Sequence, residues 1–146
     1  IIFAVVGVFQ FITVQEQLGS QLQALVATMA FTQTTFLIAV NVFYLFMGCI
    51  IDAIPVMLIF FPVLLPIATG LGIDPVHFGV ITVFNLMIGL LTPPVGALLF
   101  IQTKIGGIPF GELVRESLPY TLVILLVLVL CTFIPQLVTF LPNWIM

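Results

Sequence analysis

A lone carboxylate, Asp52, lies inside a long apolar stretch from Phe36 to Gly72, with glycine and proline crowded around it. Gly48, Pro55, Pro62 and Pro66 interrupt this run, and no other formal charge occurs between Glu16 and Asp74. A carboxylate at bilayer depth is expensive, and ionisable groups held there usually line a cavity or bind an ion. A second constellation follows at Thr92-Pro93-Pro94-Val95-Gly96, within IGLLTPPVGALLF. Pro94 lacks an amide donor and pushes Pro93 out of the α region, so a helix should unwind there. The freed carbonyls near Thr92, together with its hydroxyl, are the oxygens a hard cation such as Na+ takes. The half-helix starting near Val95 offers its positive end to an anion. The competing reading is a plain proline kink, which needs only one proline.

Composition identifies the solvent these residues face. Of 146 residues, 63% are hydrophobic and 5% charged, against about 25% charged in a typical soluble domain. The mean hydropathy is +1.46. That leaves too little polar material to cover a water-facing surface, so the chain is an integral membrane protein. Its two basic and five acidic residues form neither a patch for nucleic acid nor a polybasic anchor for lipid headgroups. Cys49 and Cys131 fall in different apolar runs without ligand-like spacing, which suggests neither a disulfide nor a metal site. Cys49, next to the breaker region, reads as a small packing residue. The chain opens inside an apolar run with no basic n-region or cleavage site, and is read as a piece of a longer membrane protein.

The elements that must carry these residues are all helical. Residues 1–14 read as the end of a spanning helix. Residues 16–35 mix Gln, Ser and Thr with Leu22, Leu25, Val26 and Met29 at helical spacing, which predicts an arm helix along the membrane interface. The block from Phe36 to Gly72 would extend well beyond 50 Å as one helix, whereas a span needs about 20 residues. Two half-length helices meeting at Gly48–Pro55 fit better, as a re-entrant hairpin over 36–69. Residues 77–102 read as a spanning helix broken at Thr92–Gly96, and 118–141 as the last span. Two interrupted hydrophobic segments in one membrane chain are the strongest pointer to a secondary-transporter site.

The same residues resemble a known family. Gly48-x-x-x-Asp52, Pro62-x-x-x-Pro66, the Gly72-Ile73-Asp74-Pro75-Val76-His77-Phe78-Gly79 loop, Asn85-Leu86 and Thr92-Pro93-Pro94-Val95-Gly96 occur in this order. Together they look like the second half of the large membrane subunit (DctM-like) of tripartite ATP-independent periplasmic (TRAP) transporters. Ser117-Leu118-Pro119-Tyr120 and Leu141-Pro142 match less specifically, and the first third matches by hydropathy alone.

The resemblance implies a polytopic, all-α protein of the bacterial inner membrane, forming one inverted repeat of an elevator-type transporter. It also implies Na+-driven uptake of organic anions, such as C4-dicarboxylates or sialic and other sugar acids, and no enzymatic activity. Na+ would be the coupling ion, with no other cofactor. A periplasmic binding protein would deliver the substrate, and a small membrane subunit and the rest of the large subunit would complete the assembly. Gly48–Pro55 becomes the hairpin tip and Thr92–Gly96 the break in its partner helix. Gly48, Thr92 and Gly96 are assigned to one Na+ site bordering the substrate, with Asp52, Asn85, Pro93 and Pro94 as further candidates.

Individual residues keep more than one role open. Asp52 could coordinate Na+, join the hydrogen bonds of the tip, or cap the second hairpin helix. Asn85 reads as helix–helix glue ahead of a substrate contact. Asp74 and His77 read as caps for the helix they precede, and Phe78, Phe84 and Phe100 as packing or lipid-facing residues. Lys104 and Arg115 flank the loop before the last span and place it in the cytoplasm, with the Gly70–Val76 loop and the C-terminus near Trp144 opposite. A channel would need a continuous polar pore, and an intramembrane aspartyl protease a second aspartate at matching depth. The nearest alternatives are another dicarboxylate symporter of the same ion-transporter architecture and a purely structural membrane subunit.

Overall fold

Caps and prolines set the helix boundaries. In the computed structural model, residues 7, 8, 11, 12, 15, 32–93 and 95–145 are described, and there they form helices and short connections. The expected span end at 1–14 lies outside the described residues apart from isolated positions. So does the arm at 16–35, except for its last residues, which belong elsewhere. Thr32 accepts the Thr35 amide at 3.3 Å through Oγ1 and so caps a new helix, α1 (Gln33–Ile50).

After α1, the chain is extended for two residues, Ile51 (ψ 149°) and Asp52 (ψ 144°), and α2 (Ala53–Gly70) begins. The interruption is therefore shorter than the expected Gly48–Pro55. Gly48 is still helical, and Pro55 sits in the first turn of α2, where its missing amide costs nothing. Pro62 and Pro66 do not break α2 either. Proline is tolerated inside membrane helices when neighbouring groups re-satisfy the backbone. Each hairpin helix has 18 residues, about 27 Å, which exceeds half a span.

Asp74 Oδ1 accepts the amides of Val76 (2.8 Å) and His77 (3.1 Å), and Pro75 occupies the first position of α3 (Pro75–Leu90). Asp74 is the expected cap. His77 is not: it is buried, and its Nε2 meets the Cys131 carbonyl at 2.7 Å. After Leu90 come the interruption and α4 (Ala97–Gly106), so the helix expected at 77–102 starts earlier and ends later. The last span also differs. It runs as α5 (Phe110–Phe133), and α6 (Pro135–Ile145) is separate. Glu112, Arg115 and Glu116, which precede the expected start at Leu118, form its first turns. Pro135 forces Ile134 out of the helix, at φ −118° and ψ 81°.

The contacts fix the directions. Phe43 meets Phe60 edge to face at 5.0 Å, so α1 and α2 fold back on each other and their far ends share one end of the bundle. Phe36 stacks on Phe78, Asn41 bonds Asn85, and Gly48 abuts Gly89. These pairs advance together along both chains, so α3 lies parallel to α1. As the central helix, α3 touches α1, α2, α4, α5 and α6. The core is aromatic and aliphatic, with Phe78 and Tyr44 fully buried and Phe61 stacked on Phe78 at 5.6 Å. Among the described residues, α1, α2 and α5 are each long and apolar enough to cross a membrane.

Candidate functional site

Parallel α1 and α3 end at the same level, which brings the two interruptions together. The Cys49 carbonyl accepts the Gly96 amide at 3.4 Å, linking the hairpin tip directly to the break. The thiol of Cys49 is buried. Gly96 has φ +54° and is buried. A Cβ there would stand 2.9 Å from the end of the Leu99 side chain and 3.2 Å from the Thr92 carbonyl, so a side chain is disfavoured chiefly by the left-handed conformation, with tight space adding to it.

The break follows from amide arithmetic. The Leu90 carbonyl would take its hydrogen bond from the residue three or four positions on, and those are Pro93 and Pro94, which carry no amide hydrogen. Gly89 fares better, because the Thr92 amide turns back to its carbonyl at 3.0 Å. Among the described residues, no donor hydrogen-bonds to the carbonyls of Leu90, Leu91 or Thr92. The Thr92 hydroxyl donates to the Ile88 carbonyl at 2.7 Å, which leaves its own lone pairs outward. A set of neutral, under-used oxygens is what a hard monovalent cation requires. Pro94 itself lies outside the described residues, and Pro93 is exposed.

The remaining candidates separate. Asp52 is exposed at the tip and makes no capping hydrogen bond, so its carboxylate is not committed to α2. Asn85 is about two turns before Thr92, or roughly 10 Å along α3. Its Nδ2 donates to Asn41 Oδ1 (2.5 Å) and to the Ile81 carbonyl (2.8 Å), while Asn41 Nδ2 donates to Leu37 O and Thr132 Oγ1. This network joins α1, α3 and α5 away from the break. The structure thus brings Gly48, Thr92, Pro93, Gly96 and the tip together and leaves Asn85 apart.

Sequence reading missed two groups. A cavity of about 270 Å³ adjoins the tip and break, and its lining includes Cys49, Thr92, Pro93, Ser117, Thr121 and Leu125. Its hydroxyls turn to carbonyls of their own helices: Ser117 to Leu113 (2.8 Å) and Thr121 to Ser117 (3.0 Å). The space is therefore apolar. Ser117 and Thr121 lie about two and three turns into α5, so the break is level with the interior of a full-length span. The second miss is Gly89, whose contact with Gly48 is close enough to exclude any side chain.

The family model for the DctM component of the tripartite ATP-independent periplasmic transporter matches residues 1–137. The chain is 40% identical over 138 residues to the sialic acid TRAP transporter large permease protein SiaM of Vibrio cholerae, covering 94% of this chain and 32% of that protein. It is 37% identical over 137 residues to the C4-dicarboxylate TRAP transporter large permease protein DctM of Pseudomonas aeruginosa, with the same coverage. Against the 2,3-diketo-L-gulonate TRAP transporter large permease protein YiaN of Escherichia coli it is 40% identical over 108 residues, 74% of this chain and 25% of that protein. The chain spans about a third of the length of the first two relatives.

Proposed function

Because the chain belongs to the DctM family of TRAP transporter large permease proteins, we propose that it supplies an ion-binding part of a Na+-coupled uptake permease for organic acids. The family's members are transport proteins, not enzymes. The relatives are named for sialic acid, C4-dicarboxylates and 2,3-diketo-L-gulonate. All are carboxylates, so the substrate class here is a small organic anion. On this reading a periplasmic binding protein presents the substrate, and a small membrane subunit and the remainder of the large subunit complete the machine in the inner membrane. The hairpin α1–α2 is re-entrant and belongs to one of two inverted repeats of an elevator-type carrier.

One observation carries the reading: two helix interruptions meet, and among the described residues one of them holds carbonyls without donors, that of Leu90 because both residues that would supply one are prolines. Na+ sits among the Leu90–Thr92 oxygens and the tip at Gly48, with Gly96 allowing the close turn. Asp52 adds negative charge nearby, and the free amides opening α4 face the substrate carboxylate. Bound Na+ thereby raises affinity for the anion, and the anion raises affinity for Na+ by the same factor.

Proteoliposomes holding the complete permease and its binding protein test this across a Na+ series. Thr92→Val keeps the shape and deletes one oxygen. It should raise the Na+ concentration for half-maximal uptake about ten- to hundredfold, the equivalent of losing about 1–3 kcal/mol. Apparent substrate affinity should fall at low Na+ and recover at high Na+. Pro94→Ala should be worse, since it returns an amide donor to the Leu90 carbonyl. If both variants keep the wild-type Na+ dependence, the break is a kink and the assignment fails.

A further inference from the structure

The 3.4 Å hydrogen bond between tip and break is near the longest that counts as one. What holds the two segments at that distance is a pair of glycines. A Cβ placed on Gly89 would stand 2.6 Å from the Gly48 carbonyl carbon, 2.7 Å from its Cα and 3.0 Å from the Cys49 nitrogen. All three are main-chain atoms, which cannot swing aside like the end of a side chain. From the opposite direction, a Cβ on Gly48 would meet Gly89 Cα, Leu86 Cα and Leu86 O, each at 3.2 Å. The residue after Gly48 is Cys49, the acceptor of the Gly96 amide. Any widening of the glycine contact therefore falls directly on the tip-to-break bond.

We propose that Gly89 is a positioning residue. By bringing the backbone of α3 against that of α1, it sets the spacing between the tip carbonyls and the break oxygens so that one ion can be served by both. In a bilayer the hydrophobic effect does not drive such an approach, because lipid tails are as apolar as the side chains. Small residues act there by letting backbones come close. The inference rests on the Na+-coupled reading above and adds a residue that never touches the ion. Gly79, on the same helix, provides the contrast: its Cβ would find only the rim of Phe61, at 3.8 Å.

Three alanine variants of the complete permease, reconstituted with its partners, test it by two readouts. The first is the Na+ dependence of uptake. The second is maleimide labelling of the buried Cys49 thiol, located by mass spectrometry. Gly89→Ala needs α1 and α3 to separate by roughly 1 Å to restore ordinary carbon contacts. It should raise the half-saturating Na+ concentration about tenfold, with the maximal rate at saturating Na+ largely kept, and should expose Cys49 to label. Gly48→Ala should shift both readouts in the same direction but less, and Gly79→Ala should match wild type. If Gly89→Ala does not assemble, Gly48→Ala carries the same two readouts. Increased labelling with unchanged Na+ dependence rejects the ion reading of the site while keeping the spacer. Unchanged labelling in both Gly89→Ala and Gly48→Ala overturns the spacer itself.

Discussion

Asn85 has no freedom in how its amide is turned. Exchanging its oxygen and nitrogen would set Oδ1 against both Asn41 Oδ1 and the Ile81 carbonyl, two acceptors that need a donor. Turning Asn41 as well fails, because its Nδ2 is needed by Leu37 O and Thr132 Oγ1. The pair is thus a directed tie from α3 through α1 to α5, and it lies roughly 10 Å from the break. Membrane interhelical hydrogen bonds contribute modestly, about 0.6–2 kcal/mol. Asn85→Leu should accordingly lower the thermal stability of the detergent-purified permease by an amount of that order. The substrate concentration for half-maximal uptake should stay put, and a change there would place the amide in the substrate's path. The residue scale also shows the limit of spacing arguments. Asn85, within α3, and Thr92, just past its end, are both polar, yet only Thr92 stands where donors have been removed.

The elements were legible where chemistry leaves a mark in the chain. Asp74-Pro75 announces a helix start, and the structure has the Val76 and His77 amides bonded to the Asp74 carboxylate. Asp74→Ala should cost about 1 kcal/mol of stability, while Asp74→Asn should keep most of it. Calorimetric or dye-based melting of the two variants checks the order, and equal losses would mean charge rather than capping matters. The tip and the double-proline break were also readable, because proline removes specific amides. What misled was using proline as a uniform stop sign: Pro62 and Pro66 sit within α2, and Pro55 within its first turn. Hydropathy erred in the other direction, since it starts the last span only at Leu118, while Glu112, Arg115 and Glu116 already lie on that helix. Gly89 carried no mark at all. A lone glycine in a helix looks the same whether or not another backbone rests on it.

For the whole molecule, the directions of α1 to α5 make a topological statement that labelling can check. Thr32 and Thr69 belong to one end of the bundle, and the Gly107 turn between α4 and α5 to the other. Single cysteines at Thr32 and Thr69 should react with impermeant reagent from one side of the membrane, and one at Gly107 from the other. A cysteine at Ile51 decides how deep the hairpin reaches. In a re-entrant hairpin it should react far more slowly than Gly107 from the Gly107 side, whereas equal reactivity means that α1 and α2 cross completely. The polar ties of α5 add a mechanical consequence. Its bonds to α1 and α3, Thr132 to Asn41 and the Cys131 carbonyl to His77, both sit near its last turn, whereas its earlier turns border the empty space beside the break. Held by polar bonds at one end and by the stacking of Phe110 on Phe100 at the other, such a helix can tilt as a lever about its polar end. Ser117 is about 22 Å from the fastened end, so a tilt of about 5° carries it about 2 Å. That would widen or close the space over the tip while the glycine-spaced oxygens stay where they are.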